Sequence, residues 1–259
     1  MYEGLARNGS RVFPKWLHCV GELYGWGAAF DSIFVEKGLT AYAHTEAYQK
    51  GRALTLNVEP ATLWDEQRFL PQLRQLSNEF RRLELVLEIS EGQEITPGPG
   101  DDSSSRPLSF AGTIEQYRLR LDRSTYVPPL ACDDFGVAHT SLIRVIKLRP
   151  SLIKVDQDVC LLERGEAETV LVVARLLELH GPDKWRPPQR VVEGVPDDDE
   201  KLRSELLRLA FKHGYHYAQG YFFGKAQPRP ITELRREVQD EVMRLFEGAP
   251  QLACSISLP

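Results

Sequence analysis

Three features are scarce in this sequence, and each absence excludes a class of protein. Its four cysteines lie far apart and form no CxxC pair, so neither a zinc ribbon nor a disulfide framework is predicted. No apolar run approaches the ~20 residues of a membrane-spanning helix, and no secretory signal is recognised. The net charge is -5, which argues against a general surface for a DNA or RNA polymer. We therefore expect a cytoplasmic protein with reduced thiols and no membrane segment.

The sequence does contain an alternation of short apolar strands and amphipathic helices. Residues 53–58 and 83–91 have the composition of buried strands, and a helical pattern through Leu63, Phe69 and Leu76 lies between them. This order favours a parallel sheet covered by helices, and 259 residues suit one α/β barrel. We interpret residues 1–247 as a single barrel domain with flexible polar insertions near 96–106 and 181–189, followed by a C-terminal tail at 248–259.

Polar residues recur at the downstream ends of the predicted strands. They are Glu3, Asn57, Glu88, Asp133, Asp134, Lys154, Glu193 and Gln219. Taken singly, an acid after a strand is more often a helix cap or a solvated loop residue, and Asp197 or Asp198 is expected to cap the helix that begins at Glu200. In a closed parallel barrel, however, these strand ends converge on one face, where such enzymes place their chemistry.

A cluster of carboxylates on that face requires cations, because like charges a few Å apart cannot all stay ionised. Carboxylate and amide oxygens without Cys or His suit Mg²⁺ or Mn²⁺ rather than zinc. The adjacent acids Asp133 and Asp134 can bridge two ions, and a pair of metals is the standard device for phosphoester hydrolysis. The pattern therefore predicts a two-metal site.

Several short motifs, in a fixed order, resemble the EAL-domain family of bacterial cyclic di-GMP phosphodiesterases. The most specific are DDFG at Asp133, IKVD at Ile153, EGV at Glu193 and QGYFFGK at Gln219. YEGLAR at Tyr2 stands where the family has its Glu-Ala-Leu signature, LNV matches its Asn-bearing strand, and LEISE matches its Glu-x-Thr-Glu strand. The resemblance covers nearly the whole chain and implies a TIM-like (β/α)8 barrel of the EAL type. The family's first, antiparallel strand precedes the signature, so it is expected to be lacking or modified here.

The family pattern implies a role for each matching residue. Glu3, Asn57, Glu88 and Asp133 would hold one metal ion, and Asp133, Asp134 and Glu193 would hold the second. Lys154, Glu193 and Gln219 would be catalytic, with Lys154 and Gln219 beside the attacking water. Arg7 and Leu5 would bind the substrate, Arg7 through a phosphate. Glu91 would couple the loop after DDFG to dimerisation, so a homodimer is expected by resemblance.

The chain departs from the family pattern in both mild and serious ways. Gly4 replaces Ala in the signature and Ser90 replaces Thr, and both changes are mild. The loop after DDFG reads VAHTSL instead of Thr-Gly-Tyr-Ser-Ser-Leu, so Ala138 stands where a glycine gives backbone freedom. Pro196 replaces the second acid of Glu-Gly-Val-Glu. We expect these last two changes to lower activity without removing a metal ligand.

Two functions follow from the resemblance. The first is metal-dependent hydrolysis of cyclic di-GMP to linear pGpG, in which a water activated by two ions, Mg²⁺ or Mn²⁺, attacks phosphorus in line. The second is a catalytically weak or inactive EAL-type receptor that binds cyclic di-GMP or a protein partner. Because every expected metal ligand is present, the sequence favours the enzyme, a cyclic-guanylate-specific phosphodiesterase of bacterial second-messenger signalling.

Overall fold

The computed structural model describes residues 2–4, 26–65, 67–80, 84–89, 110–121, 127–136, 142–156, 188–225 and 233–246. Within these residues the strands are β1 (Tyr2–Gly4), β2 (Leu54–Val58), β3 (Leu85–Ile89), β4 (Leu130–Phe135), β5 (Leu152–Val155), β6 (Gln189–Val192) and β7 (Tyr217–Ala218). The helices are α1 (Gly27–Ala43), α2 (Glu46–Gln49), α3 (Phe69–Glu79), α4 (Phe110–Leu121), α5 (Leu142–Leu148), α6 (Glu200–Lys212) and α7 (Arg236–Phe246), and a 3₁₀ turn spans Pro60–Trp64. The predicted alternation of strands and helices is confirmed.

The chain divides into two compact units. The first comprises Met1–Cys132 and Ser141–Pro150, and the second comprises Asp133–Thr140 and Ser151–Pro259. The boundary therefore falls within β4, immediately before Asp133. The interpretation of residues 1–247 as one barrel domain stays a prediction.

In the first unit, β1 to β4 run parallel and pair in chain order. All five residues of β3 are buried, including Glu88, as expected for a strand that is covered on both faces. The register aligns Asn57 of β2 with Glu88 of β3, and each is the penultimate residue of its strand. Both residues thus lie at strand ends, as the sequence predicts.

In the second unit, β5, β6 and β7 also run parallel and pair in chain order. Two backbone hydrogen bonds extend this ladder beyond the strands: the Glu193 N–H donates to the Val155 carbonyl over 3.0 Å, and the Gln219 N–H donates to the Val192 carbonyl over 2.7 Å. The strand ends that carry the predicted site residues are therefore held in register. The same unit contains an apolar core of Val192, Val195, Leu206, Leu207, Ala210, Phe222 and Val238.

Two local expectations were wrong. The helix α6 is capped by Asp199, whose side chain accepts the Leu202 N–H over 2.9 Å, rather than by Asp197 or Asp198. Asp199 directly precedes the helix and has the extended backbone (φ -117°, ψ 94°) that lets a cap reach back to the free N–H groups. Leu63 lies in the 3₁₀ turn, and the helix that was expected to include it begins only at Phe69.

Several predictions fall on residues outside the described ranges. They concern Leu5, Arg7, Glu91, Ala138, Ser90, the insertion near 96–106, most of the insertion near 181–189 and the tail at 248–259. The strand β6 begins at Gln189, the last residue of the predicted insertion near 181–189. None of the described helices combines the length and the apolar character needed to cross a membrane.

Candidate metal centre

The end of β4 carries the two adjacent acids, Asp133 and Asp134. In a regular strand neighbouring side chains point to opposite faces, which would separate the two carboxylates. Here Asp134 has a left-handed backbone, with φ of 53°, and Gly136 follows with φ of 107°. This turn interrupts the alternation, and it allows both acids to serve one site. A left-handed Asp is uncommon and carries some strain, a feature that clusters at functional sites.

Lys154 lies at the centre of the group of charges in the second unit. Its Nζ is 2.8 Å from Oδ1 of Asp133 and 2.8 Å from Oε1 of Glu193. The lysine is only 1% exposed, and a buried ammonium is tolerated when it is paired with carboxylates. The two ion pairs fix the positions of both acids, one at the end of β4 and one just beyond β6.

Three carboxylates come together at this point. Asp133, Asp134 and Glu193 each offer an oxygen, and these oxygens all lie within 4.8 Å of one another. The pKa of Asp134 is raised to about 7, mainly by burial and then by the negative charge of Asp133 and the hydrogen bond and charge of Asp156, against the opposing effect of Lys154. A divalent cation among these oxygens would relieve that repulsion. An all-oxygen donor set of carboxylates fits Mg²⁺, Mn²⁺ or Ca²⁺ rather than zinc.

Gln219 is placed through its backbone. Its N–H donates to the Val192 carbonyl, and its carbonyl accepts the Val195 N–H over 3.0 Å. The next residue, Gly220, lies so close to the backbone of Val195 that a Cβ atom there would be 2.3 Å from both the Val195 nitrogen and oxygen. Glycine in the QGY motif is therefore required by the approach of two backbone segments, one following Glu193 and one following Gln219.

The other predicted metal ligands belong to the first unit. Asn57 and Glu88 are partners in the β2–β3 register, and Glu88 is fully buried whereas Asn57 is exposed. Glu3 is the register partner of Thr55, two residues before Asn57. The structure thus places Glu3, Asn57 and Glu88 at neighbouring strand ends, and it brings Asp133, Asp134, Lys154 and Glu193 together as side chains within the second unit.

Comparisons with known proteins find similarity to cyclic di-GMP phosphodiesterases and to solved EAL domains. No family model matches the chain. Over 235 residues the chain is 22% identical to the cyclic di-GMP phosphodiesterase PdeF of Escherichia coli (strain K12), covering 90% of this chain and 28% of PdeF. The Bacillus subtilis YkuI protein, solved with its EAL domain in complex with cyclic di-GMP and calcium, matches with a TM-score of 0.57 at 21% identity, covering 84% of this chain and 47% of that one. The EAL domain of Xanthomonas citri FimX, solved in complex with cyclic di-GMP, matches with a TM-score of 0.59 at 15% identity, covering 88% of this chain and 81% of that one.

The chain has the EAL-domain fold. The predicted resemblance to the EAL-domain family is confirmed, and so is the predicted fold class, a TIM-like α/β barrel of the EAL type. The chain spans less than a third of the length of PdeF, of which it covers 28%.

One polar residue at this group of carboxylates was not predicted from the sequence. Asp156 follows β5 and forms a side-chain hydrogen bond with Asp134, while its N–H donates to the Phe135 carbonyl over 3.1 Å. The signal was present in the IKVD motif, because residues two apart on a strand share a face and Asp156 stands two residues after Lys154. The missed residue therefore links the ends of β4 and β5.

Proposed function

We propose that the protein hydrolyses cyclic di-GMP to linear pGpG in a reaction that depends on Mg²⁺ or Mn²⁺. The observation that carries the proposal is the convergence of Asp133, Asp134 and Glu193 on one point, with Lys154 bridging two of them. Cyclic di-GMP phosphodiesterase activity in a relative and cyclic di-GMP bound to solved EAL domains support the choice of substrate.

The three carboxylates would hold one of two cations, and the cations would supply a water of lowered pKa and a positive charge that offsets the phosphate. We infer that Asp133, Asp134 and Glu193 act as ligands. The further ligands implied by resemblance, Glu3, Asn57 and Glu88, stay predictions.

Lys154 and Gln219 are assigned to orient the reacting groups. The Lys154 ammonium holds Asp133 and Glu193 through two short ion pairs, so its positive charge lies beside the point where a phosphate would approach. A preorganised charge of this kind stabilises the negative charge that develops during phosphoester cleavage. The amide of Gln219 would orient the attacking water, and Arg7 and Leu5 would bind the nucleotide.

The decisive experiment incubates the purified protein with cyclic di-GMP and either Mg²⁺ or Mn²⁺, and it separates the products by chromatography. We expect linear pGpG with each metal and none after chelation. The matched control is Glu193→Gln, which keeps the size of the side chain but removes a charged ligand. Absence of pGpG with both metals would overturn the proposed activity.

An inactive EAL-type receptor is the second candidate function. It is favoured by the solved FimX EAL domain in complex with cyclic di-GMP and by Pro196, which takes the place of an acid three residues after Glu193. Titration calorimetry with cyclic di-GMP and Ca²⁺ separates the two: a receptor binds the nucleotide tightly and returns it uncleaved when Mn²⁺ is added.

We further propose a cytoplasmic location and a homodimer whose coupling to the site involves Glu91, which sedimentation of the Glu91→Ala variant tests.

A further inference from the structure

Arg203 is a buried cation that contacts three separate segments of the second unit. The residue is 7% exposed. Its NH1 donates to the carbonyls of Pro196 and Asp197, over 3.3 Å and 3.0 Å. Its guanidinium carbon lies 4.6 Å from the centre of the Phe222 ring, and its Nε forms an ion pair with Glu241 on α7 over 2.9 Å. One side chain therefore joins the segment after β6, the segment after β7 and the last described helix.

The position of Arg203 in its own helix does not explain this choice of residue. Arg203 lies in the first turn of α6, which begins at Glu200. The N-terminal end of a helix disfavours a cation, because the free N–H groups give that end a partial positive charge. The contacts that Arg203 makes outside α6 must therefore compensate for this unfavourable interaction with the helix end.

The two segments that Arg203 joins are those that carry site residues. Pro196 and Asp197 follow Glu193 by three and four residues, and Phe222 follows Gln219 by three. Backbone hydrogen bonds connect the same segments, since the Val195 N–H donates to the Gln219 carbonyl over 3.0 Å and the Phe222 N–H donates to the Val195 carbonyl over 3.2 Å. A shift of either segment therefore moves both Glu193 and Gln219.

Proline at position 196 increases the dependence on Arg203. Proline has no backbone N–H, so this residue can be held through its carbonyl but not through a backbone donor. The Arg203 NH1 donates to that carbonyl, and a guanidinium presents several donors in one rigid plane. Arginine can thus hold two consecutive carbonyls, stack on a ring and pair with Glu241 at the same time, which a lysine cannot.

We propose that Arg203 is a positioning residue of the site. Its contacts with the segments after β6 and β7 set the positions of Glu193 and Gln219, and its ion pair with Glu241 links these positions to the packing of α7. This proposal rests on the proposed function of Glu193 as a metal ligand. Arg203 itself has no role in the chemistry, and its effect is on where the ligand and the catalytic amide lie.

The test compares Arg203→Met with Arg208→Met, an exposed arginine on the same helix. Two quantities are measured on the full chain: the affinity for Mn²⁺, from electron paramagnetic resonance of the free ion, and kcat with KM for cyclic di-GMP. We expect Arg203→Met to bind Mn²⁺ about tenfold more weakly and to lower kcat by about 10-fold to 100-fold while KM changes by less than about threefold. Arg208→Met should match the wild type, and Arg203→Lys should lie between the two.

Each alternative result has a definite meaning. Arg203→Met equal to Arg208→Met in Mn²⁺ affinity and kcat overturns the proposal. If circular dichroism shows Arg203→Met unfolded, Glu241→Gln takes its place, because it leaves the contacts to the carbonyls and to Phe222. A roughly twofold to tenfold loss of Mn²⁺ affinity supports the proposal, and no loss overturns it. If the wild type binds Mn²⁺ but cleaves no cyclic di-GMP, the proposed function fails while the Mn²⁺ affinities still decide the role of Arg203.

Discussion

Asp31 in the first unit and Asp134 in the second are both acids whose pKa is raised to about 7, yet their surroundings differ. Asp31 is buried on α1 and accepts hydrogen bonds from the Glu59 N–H, over 2.8 Å, and from the Thr62 hydroxyl. Its pKa is raised by burial, against the opposing effect of these two hydrogen bonds. Asp134 stands among other acids on a left-handed backbone.

The difference between Asp31 and Asp134 shows which observation identifies a candidate metal site. A raised pKa by itself marks burial, and for Asp31 burial accompanies a structural task, since its carboxyl joins α1 to the turn after β2. Asp134 has the same raised pKa, but Asp133 and Glu193 converge with it on a common point and a buried lysine lies beside them. Convergence of several donors, not the shift of one group, separates the candidate metal centre from a buried structural acid.

The largest expected effect is a difference in phosphodiesterase activity between a variant of the second unit and a variant of the first. Glu193→Gln should reduce pGpG formation by roughly 10³-fold or more, because under the proposed function it would remove a charged ligand of the cation that activates water. Asp31→Asn should stay within about threefold of the wild type, since Asp31 serves the fold. Initial rates at saturating Mn²⁺ for both variants check this. Equal losses in the two variants would mean that the comparison is wrong.

The second effect concerns the pH dependence of stability. Between pH 4 and pH 7 the folded protein keeps a proton on Asp31 that the unfolded chain releases, so the contribution of this residue to stability falls as pH rises through this window and is constant above it. Asp31→Asn keeps an acceptor oxygen but cannot titrate. From pH 4 to pH 8 the wild type should lose up to roughly 4 kcal/mol of unfolding free energy relative to the variant.

Urea unfolding of the wild type and of Asp31→Asn at several pH values measures this difference. The same ionisable groups remain elsewhere in both proteins, so the difference between the two curves isolates Asp31. Parallel curves from pH 4 to pH 8 would show that Asp31 titrates alike in the folded and unfolded chains.

The third effect compares a glycine from each unit. Gly220→Ala places a Cβ atom 2.3 Å from the backbone of Val195, and we expect a loss of about 2 to 3 kcal/mol because two backbone segments must separate. Gly51 has open space around it and a φ of +66°, so Gly51→Ala should cost only about 1 kcal/mol of backbone strain. Thermal and urea unfolding of both variants check the ranking. Gly220→Ala should also weaken Mn²⁺ binding, which Gly51→Ala should leave unchanged.

Features that depend on a short segment of sequence were predicted correctly. Strand positions for Asn57, Glu88, Asp133 and Lys154 follow from short apolar runs that end in a polar residue, and the motif order indicated the fold. Contacts between distant segments could not be predicted in this way. The burial of Asp31 against the turn after β2 depends on tertiary packing across 28 residues of sequence, and so does the pairing of Arg203 with Glu241.

The smallest effect separates the contribution of the left-handed backbone at Asp134 from the contribution of its charge. A left-handed conformation costs most residues about 1 kcal/mol relative to Gly, and Asn tolerates it better than Ala. At pH 4, where the carboxyl of Asp134 keeps its proton in the folded protein, Asp134→Asn should therefore match the wild type in stability, and Asp134→Ala should be about 1 kcal/mol less stable. Both variants should lose Mn²⁺ affinity, because each removes the carboxylate that converges with Asp133. If Asp134→Ala were as stable as Asp134→Asn, the left-handed turn would carry no strain, and the pairing of two adjacent acids at the end of β4 would need another explanation.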